Sequence, residues 1–100
     1  MSVYLMLTTL TDTGRKNLQE DPDILKDFNK EADYMGVKVS CQYALLGQYD
    51  FVNICEAPSN EVIAKLAIRL SAKGHTQTLT LAAIGIEDLI AALKEKQTPW

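Results

Sequence analysis

The sequence is short of the residue types that build metal and disulfide sites. It has one histidine and two cysteines, Cys41 and Cys55, in 100 residues. A single histidine, with no C-x-x-C motif and no dense pair of carboxylates, excludes a metal cluster of ordinary ligand spacing. In a reducing compartment the two cysteines would stay thiols, which is typical of small buried apolar side chains rather than of a redox pair. We therefore expect no metal and no other cofactor.

Basic residues and long apolar runs are also few. Ten Lys and Arg residues against thirteen Asp and Glu residues give a net charge of −3, and the basic residues form no stripe. This pattern argues against a phosphate-binding surface, so nucleic acid is not an expected partner. The apolar N-terminal segment is too short to span a bilayer and lacks the basic flank of a signal peptide. We expect a cytoplasmic protein with no membrane partner.

What the sequence does contain is a regular alternation of strand and helix patterns within one domain, residues 1–100. The strands are predicted over residues 2–10, 37–46, 49–57 and 75–85. Helical spacing predicts a helix broken near Pro22 and ending at Gly36, a second one from about residue 60 to Gly74, and a short terminal helix. That last helix, over residues 86–96, is expected to face inward with Ile86, Leu89, Ile90 and Leu93.

The order of these elements, β-α-β-β-α-β followed by a helix, predicts the fold class. It describes an α+β protein, a ferredoxin-like sandwich with a four-stranded antiparallel sheet. Right-handed crossovers place both long helices on one face of the sheet. Within the second predicted strand, strict alternation would put Val39, Cys41 and Tyr43 on the same face.

The other face of the sheet is then left without helices. It is expected to carry Tyr4, Met6, Val52 and Ile54, or their strand neighbours. Several hundred Å² of exposed apolar surface is more than a soluble monomer usually shows. We therefore expect a homo-oligomer, at least a dimer, formed through this sheet face.

Three stretches of the chain carry a resemblance to a known family. They are TDTGRKN after the first strand, LGQYDFVNICEAPSNE around the hairpin, and TLTLAAI in the last strand. The chain resembles the GYD-domain family over nearly its entire length. The resemblance implies a fold related to the dimeric α/β-barrel group and implies self-association. Gly47, Tyr49 and Asp50 match the Gly-x-Tyr-Asp turn of the family, and no catalytic residue comes with it.

The Gly-x-Tyr-Asp turn also has a purely structural interpretation. Gly47 can adopt positive φ, Asp50 can accept hydrogen bonds from turn amides, and Tyr49 can pack over the hairpin. The sequence predicts a turn first and a pocket rim second. Two registers stay open at the hairpin. A loop of residues 47–49 sets Cys41 opposite Cys55, whereas a loop of 47–48 sets the thiols on opposite faces.

Three functions are compatible with these patterns. The first is a binding module that holds a small organic ligand between helices and sheet or between paired sheets. Its pocket is predicted to be lined by Tyr4, Tyr43, Tyr49, Asn53 and Thr78. The second is a cofactor-independent oxygenase or isomerase of dimeric α/β-barrel type, with His75 or Asp50 as base and Tyr49 as proton donor. The third is a structural subunit of an assembly.

Overall fold

The structure is a computed structural model that describes residues 1–95, which form four strands and four α-helices. The elements are β1 (Ser2–Leu10), α1 (Asp12–Glu20), α2 (Leu25–Tyr34), β2 (Lys38–Ala44), β3 (Phe51–Ala57), α3 (Asn60–Ser71), β4 (Thr76–Ala83) and α4 (Ile86–Lys94). The strands form one antiparallel sheet in the order β2-β3-β1-β4. The predicted ferredoxin-like α+β fold is confirmed.

The first helical segment is broken near Pro22 into two helices. Thr11 caps α1, and its Oγ1 accepts a hydrogen bond from the Gly14 amide at 3.1 Å. A 3₁₀ turn over Pro22–Ile24 then separates α1 from α2. Proline has no amide hydrogen and clashes with the preceding turn, so α1 ends before it.

The core lies between the sheet and helices α2 and α3, on what we call the covered face. Tyr4 and Met6 of β1 are buried there, together with Cys55 of β3 and Leu66 of α3. The expectation that Tyr4 and Met6 lie on the uncovered side is therefore wrong. The Tyr4 hydroxyl donates to Asn60 Oδ1 at the start of α3, a partner that only the helix side offers.

The opposite side of the sheet, which we call the open face, has no helix over it within residues 1–95. Strand pairing places the β1 neighbours Val3, Leu5 and Leu7 on this face, beside Val52 and Ile54 as predicted. On the outer strands the open face continues with exposed Leu79 and Leu81 of β4 and with Cys41 and Tyr43 of β2. The centre of the open face is thus apolar across all four strands, with the Lys38–Glu56 ion pair at one end and Thr9 opposite Gln77 at the other.

A β-bulge in β2 changes which of its side chains share a face. The pairing shifts between Val39, which lies opposite Cys55, and Cys41, which lies opposite Ile54. The expected common face of Val39, Cys41 and Tyr43 is wrong, because the extra residue of a bulge reverses the alternation. Both thiols are free and lie on opposite faces, as the shorter hairpin register predicted. The strands end earlier than expected, however, so the connecting loop spans residues 45–50.

Helix α4 does not face inward. Every residue from 81 to 95 is exposed, and no strand or other helix of the described chain packs closely against α4. Its four predicted inward residues are exposed by 37% to 68%: Ile86, Leu89, Ile90 and Leu93. The prediction was wrong because an apolar stripe indicates that a helix packs against another surface but does not show that this surface belongs to the same chain.

Candidate functional site

The Gly-x-Tyr-Asp turn is held together by Asp50. The Asp50 amide donates to Thr8 O at 2.8 Å, and its carbonyl accepts from the Leu45 amide at 2.8 Å. The side-chain Oδ2 accepts from the Leu10 amide at 2.7 Å and lies 3.6 Å from Arg15 Nη2. Asp50 therefore ties the end of β1 to the loop before β3. These bonds fit the structural interpretation of the turn, as does the φ of 123° at Gly47.

A second junction joins the start of α1 to the loop between α3 and β4. The Thr11 amide donates to His75 O at 2.9 Å, and Thr11 Oγ1 donates to Gly74 O at 2.8 Å. Gly14 lies so close to this loop that a Cβ atom on it would be 2.1 Å from His75 O. Sequence reasoning missed this contact. Its one local signal was a glycine in the first turn of a helix, where an alanine would be more favourable.

The side chain of His75 is held by an amide rather than by an acid. Its Nε2 lies 3.1 Å from Asn17 Nδ2, and with that amide donating, Nε2 accepts. Within residues 1–95 no hydrogen bond links His75 to a carboxylate, and none links any two of His75, Asp50 and Tyr49. The structure thus shows no arrangement of these three candidates as a base and a proton donor.

A cleft of about 660 Å³ opens between helices α1 and α2 and the covered face. Its floor includes Thr8 and Asn53, which are 8% and 6% exposed. Asn53 Oδ1 accepts from Gln42 Nε2 at 2.8 Å. Leu18 and Phe28 supply apolar walls. A cleft of this size with a few buried polar groups is typical of small-molecule sites.

The five residues predicted to line a ligand pocket do not come together. Tyr4, Asn53 and Thr78 lie on the covered face, and Asn53 lines the cleft floor. Tyr43 lies opposite Val52 on the open face and is 61% exposed. Tyr49 belongs to the loop between the strands. Tyr43 and Asn53 lie on opposite faces of the sheet because of the β2 bulge.

The cysteines and the acidic residues do not build a further chemical site in the described part of the chain. Burial raises the pKa of the Cys55 thiol to about 11, so the reactive thiolate is disfavoured at neutral pH. Among residues 1–95, no group of three or more His, Cys, Asp or Glu side chains is placed to hold a metal ion. None of the helices described is both long enough and apolar enough to cross a bilayer.

These features define an α+β protein of ferredoxin-like fold with one apolar sheet face uncovered. A family model described as GYD domain matches residues 4–93. The chain belongs to the GYD-domain family, as the three motif stretches indicated.

Two known proteins are similar to this chain, one in sequence and one in fold. It is 43% identical over 95 residues to the glutamine synthetase and cystathionine beta-lyase binding protein of Thermus thermophilus, with 94% of this chain and 100% of the relative covered. It is similar in fold to the crystal structure of the leucine response regulatory protein (LrpA) of Mycobacterium tuberculosis, with a TM-score of 0.57 and 15% identity. That match covers 84% of this chain and 51% of the regulator, so the chain spans about half the length of that protein.

Proposed function

We propose that the protein is a cytoplasmic homodimeric module that binds other proteins and has no catalysis of its own. In this proposal two copies pair through their open faces, and the assembled dimer presents its helices and loops to partners. The observation that carries the proposal is the apolar open face, which extends over four strands without a helix of residues 1–95 above it.

The size of the open face supports pairing. Four strands spaced about 4.8 Å apart and seven residues long give a footprint of roughly 450 Å². Burial of a wholly apolar face of that size would contribute about 11 kcal/mol per subunit before the entropy of association is subtracted, and the polar ends of the open face lower this upper bound. A two-fold axis would bring the same patch of each copy into contact, which closes the assembly at two subunits.

The binding of other proteins rests on the relative that is 43% identical and fully covered by the match. That relative is named for binding glutamine synthetase and cystathionine beta-lyase. We extend this role to the present chain. The side chain of Asp50 is bonded to the Leu10 amide, and that of His75 to the Asn17 side chain. These structural contacts support a binding protein over an enzyme that uses Asp50 or His75 as a base.

Biolayer interferometry tests the partner half of the proposal. The chain is immobilised and exposed to the glutamine synthetase and the cystathionine beta-lyase of its own organism, with bovine serum albumin as the control. We expect saturable binding of at least one of the two enzymes. Responses no greater than those of albumin at micromolar enzyme would contradict the proposal.

A matched pair of substitutions tests the dimer half. Leu81 lies on the open face and is 43% exposed, so Leu81→Lys is tolerable in a single chain but places two charges in the proposed interface. Ile68 on α3 is 70% exposed and lies outside the open face, so Ile68→Lys is the control. Light scattering is expected to show monomers for Leu81→Lys and dimers for Ile68→Lys. Equal masses for the two variants would refute the open-face dimer.

A second function is favoured by the cleft. We propose that it holds a small organic molecule, because Thr8 and Asn53 are buried polar residues at its floor. Native mass spectrometry of protein purified from its own host should then show a retained small mass. Thr8→Val should release that mass, whereas Thr9→Val on the opposite face should keep it. Unliganded masses throughout would count against this second function.

A further inference from the structure

The α4 segment carries an apolar stripe that its own chain, over residues 1–95, leaves uncovered. Ile86, Leu89, Ile90 and Leu93 recur at three- and four-residue spacing, whereas Glu87 and Asp88 lie elsewhere on the helix. Exposure of the four apolar side chains ranges from 37% for Ile90 to 68% for Ile86. A stripe of this kind is normally buried against another element.

The helix also lacks local support. It has nine residues, and its N-cap is Gly85, which supplies no side-chain hydrogen bond. Isolated helices shorter than about 12 residues are marginal in water, since their stability comes mainly from packing. Helix α4 therefore needs a surface to pack against, and no strand or other helix in the described part of the chain packs closely on it.

We infer that α4 packs on the second copy of the chain in the dimer proposed above, as an exchanged arm. The inference rests on that proposed dimer. Only Ile84 and Gly85 separate α4 from β4, and Leu79 and Leu81 of β4 belong to the open face. A partner seated on the open face therefore lies next to the start of α4. The stripe then continues the same apolar contact beyond the sheet.

The area of the interface supports the same occupant. A standard stable interface buries about 800 Å² on each partner. The open face covers roughly 450 Å² in flat projection, and the α4 stripe lies beyond this area. Two symmetric arms would add apolar contact at each end of the pair. A second copy also gives both α4 helices the same environment, which an unrelated partner on one side would not.

Isotope-filtered NOE spectroscopy on mixed dimers tests the inference. Copies with ¹³C-labelled methyl groups are mixed with unlabelled copies of the full chain. We expect cross-peaks between Leu89 and Ile90 methyls and protons of the unlabelled partner. If Leu79 and Leu81 show such cross-peaks and α4 shows none, the arm is refuted and the open-face dimer stands. If neither set shows them, both proposals fail.

A pair of substitutions in α4 provides an independent test. Ile90→Asp places a charge in the stripe, whereas Ala91→Asp places the same charge on the opposite side of the same helix. We expect Ile90→Asp to raise the dimer dissociation constant by about 100-fold or more, since each dimer carries two copies of the change. Ala91→Asp should stay near the parent value. Equal dissociation constants for the two variants would overturn the arm.

Discussion

Because Gly14 lies against the α3–β4 loop, we predict that replacing it by alanine destabilises the fold. In Gly14→Ala the new methyl group would lie 2.1 Å from His75 O, a backbone atom that cannot swing aside. Ordinary van der Waals separation is about 3.5 Å, so α1 or the loop must move by more than about 1 Å. Such a movement disrupts the hydrogen bonds from Thr11 to His75 O and Gly74 O.

The expected loss of stability is the sum of two destabilising contributions and one stabilising contribution. Overpacking in a close contact costs about 1–3 kcal/mol. Two weakened hydrogen bonds cost about 1 kcal/mol each. Alanine in a helix is favoured over glycine by about 1 kcal/mol. We expect Gly14→Ala to lower the free energy of unfolding by about 2–4 kcal/mol, a large share of the roughly 5–15 kcal/mol typical of a domain.

Urea denaturation followed by circular dichroism measures this change. Parent and variant are compared at equal protomer concentration, because association contributes to apparent stability. Thr13→Ala, at an exposed position one residue earlier in α1, is the control and should change the free energy of unfolding by less than about 0.5 kcal/mol. A Gly14→Ala variant as stable as the parent, or more stable, would refute the close contact.

Two further stability predictions concern the turn and the buried thiol. Asp50→Ala leaves the Leu10 amide without its acceptor and should lower the free energy of unfolding by about 1–3 kcal/mol in urea denaturation. Gln48→Ala in the same loop is the control and should lower it little. Equal losses in the two variants would contradict the role of Asp50. The folded pKa of Cys55 is raised from 9.0 to about 11, so above pH 9 the unfolded thiol loses its proton first. The free energy of unfolding should therefore fall more steeply from pH 9 to pH 11 in the parent than in Cys55→Ala, and parallel pH profiles would count against it.

Local periodicity was sufficient for most elements of the fold. Strand β1 runs from Ser2 to Leu10 as predicted, and α3 begins after the Ser59 cap, whose Oγ accepts from the Val62 amide at 3.3 Å. These features depend on residues close together in sequence. The order of elements then leaves few topologies, because crossovers are right-handed.

Which face a residue occupies was harder to predict. In β1 both alternating sets are mainly apolar, so Tyr4 could be assigned to either side, and its long-range partner Asn60 decides the face. In β2 one bulge residue reverses the alternation and moves Tyr43 away from Asn53. A bulge has no fixed sequence signal at this position, so the predicted pocket lining mixed the two faces.

The candidate site depended most on contacts between distant segments. The cleft floor includes both Thr8 of β1 and Asn53 of β3, and the amide of Asn17 lies beside His75, 58 positions away in sequence. No local pattern encodes these meetings. The Gly-x-Tyr-Asp segment could be interpreted as a turn from its sequence, because the positive φ of Gly47 and the acceptor role of Asp50 are ordinary properties of those residue types.

Sedimentation equilibrium of the unmodified chain tests the central claim most directly, because pairing through the open face requires two copies in one particle. At micromolar concentrations we predict a mass twice the 11.1 kDa of one chain. A single species of 11.1 kDa across the same concentrations would contradict the account.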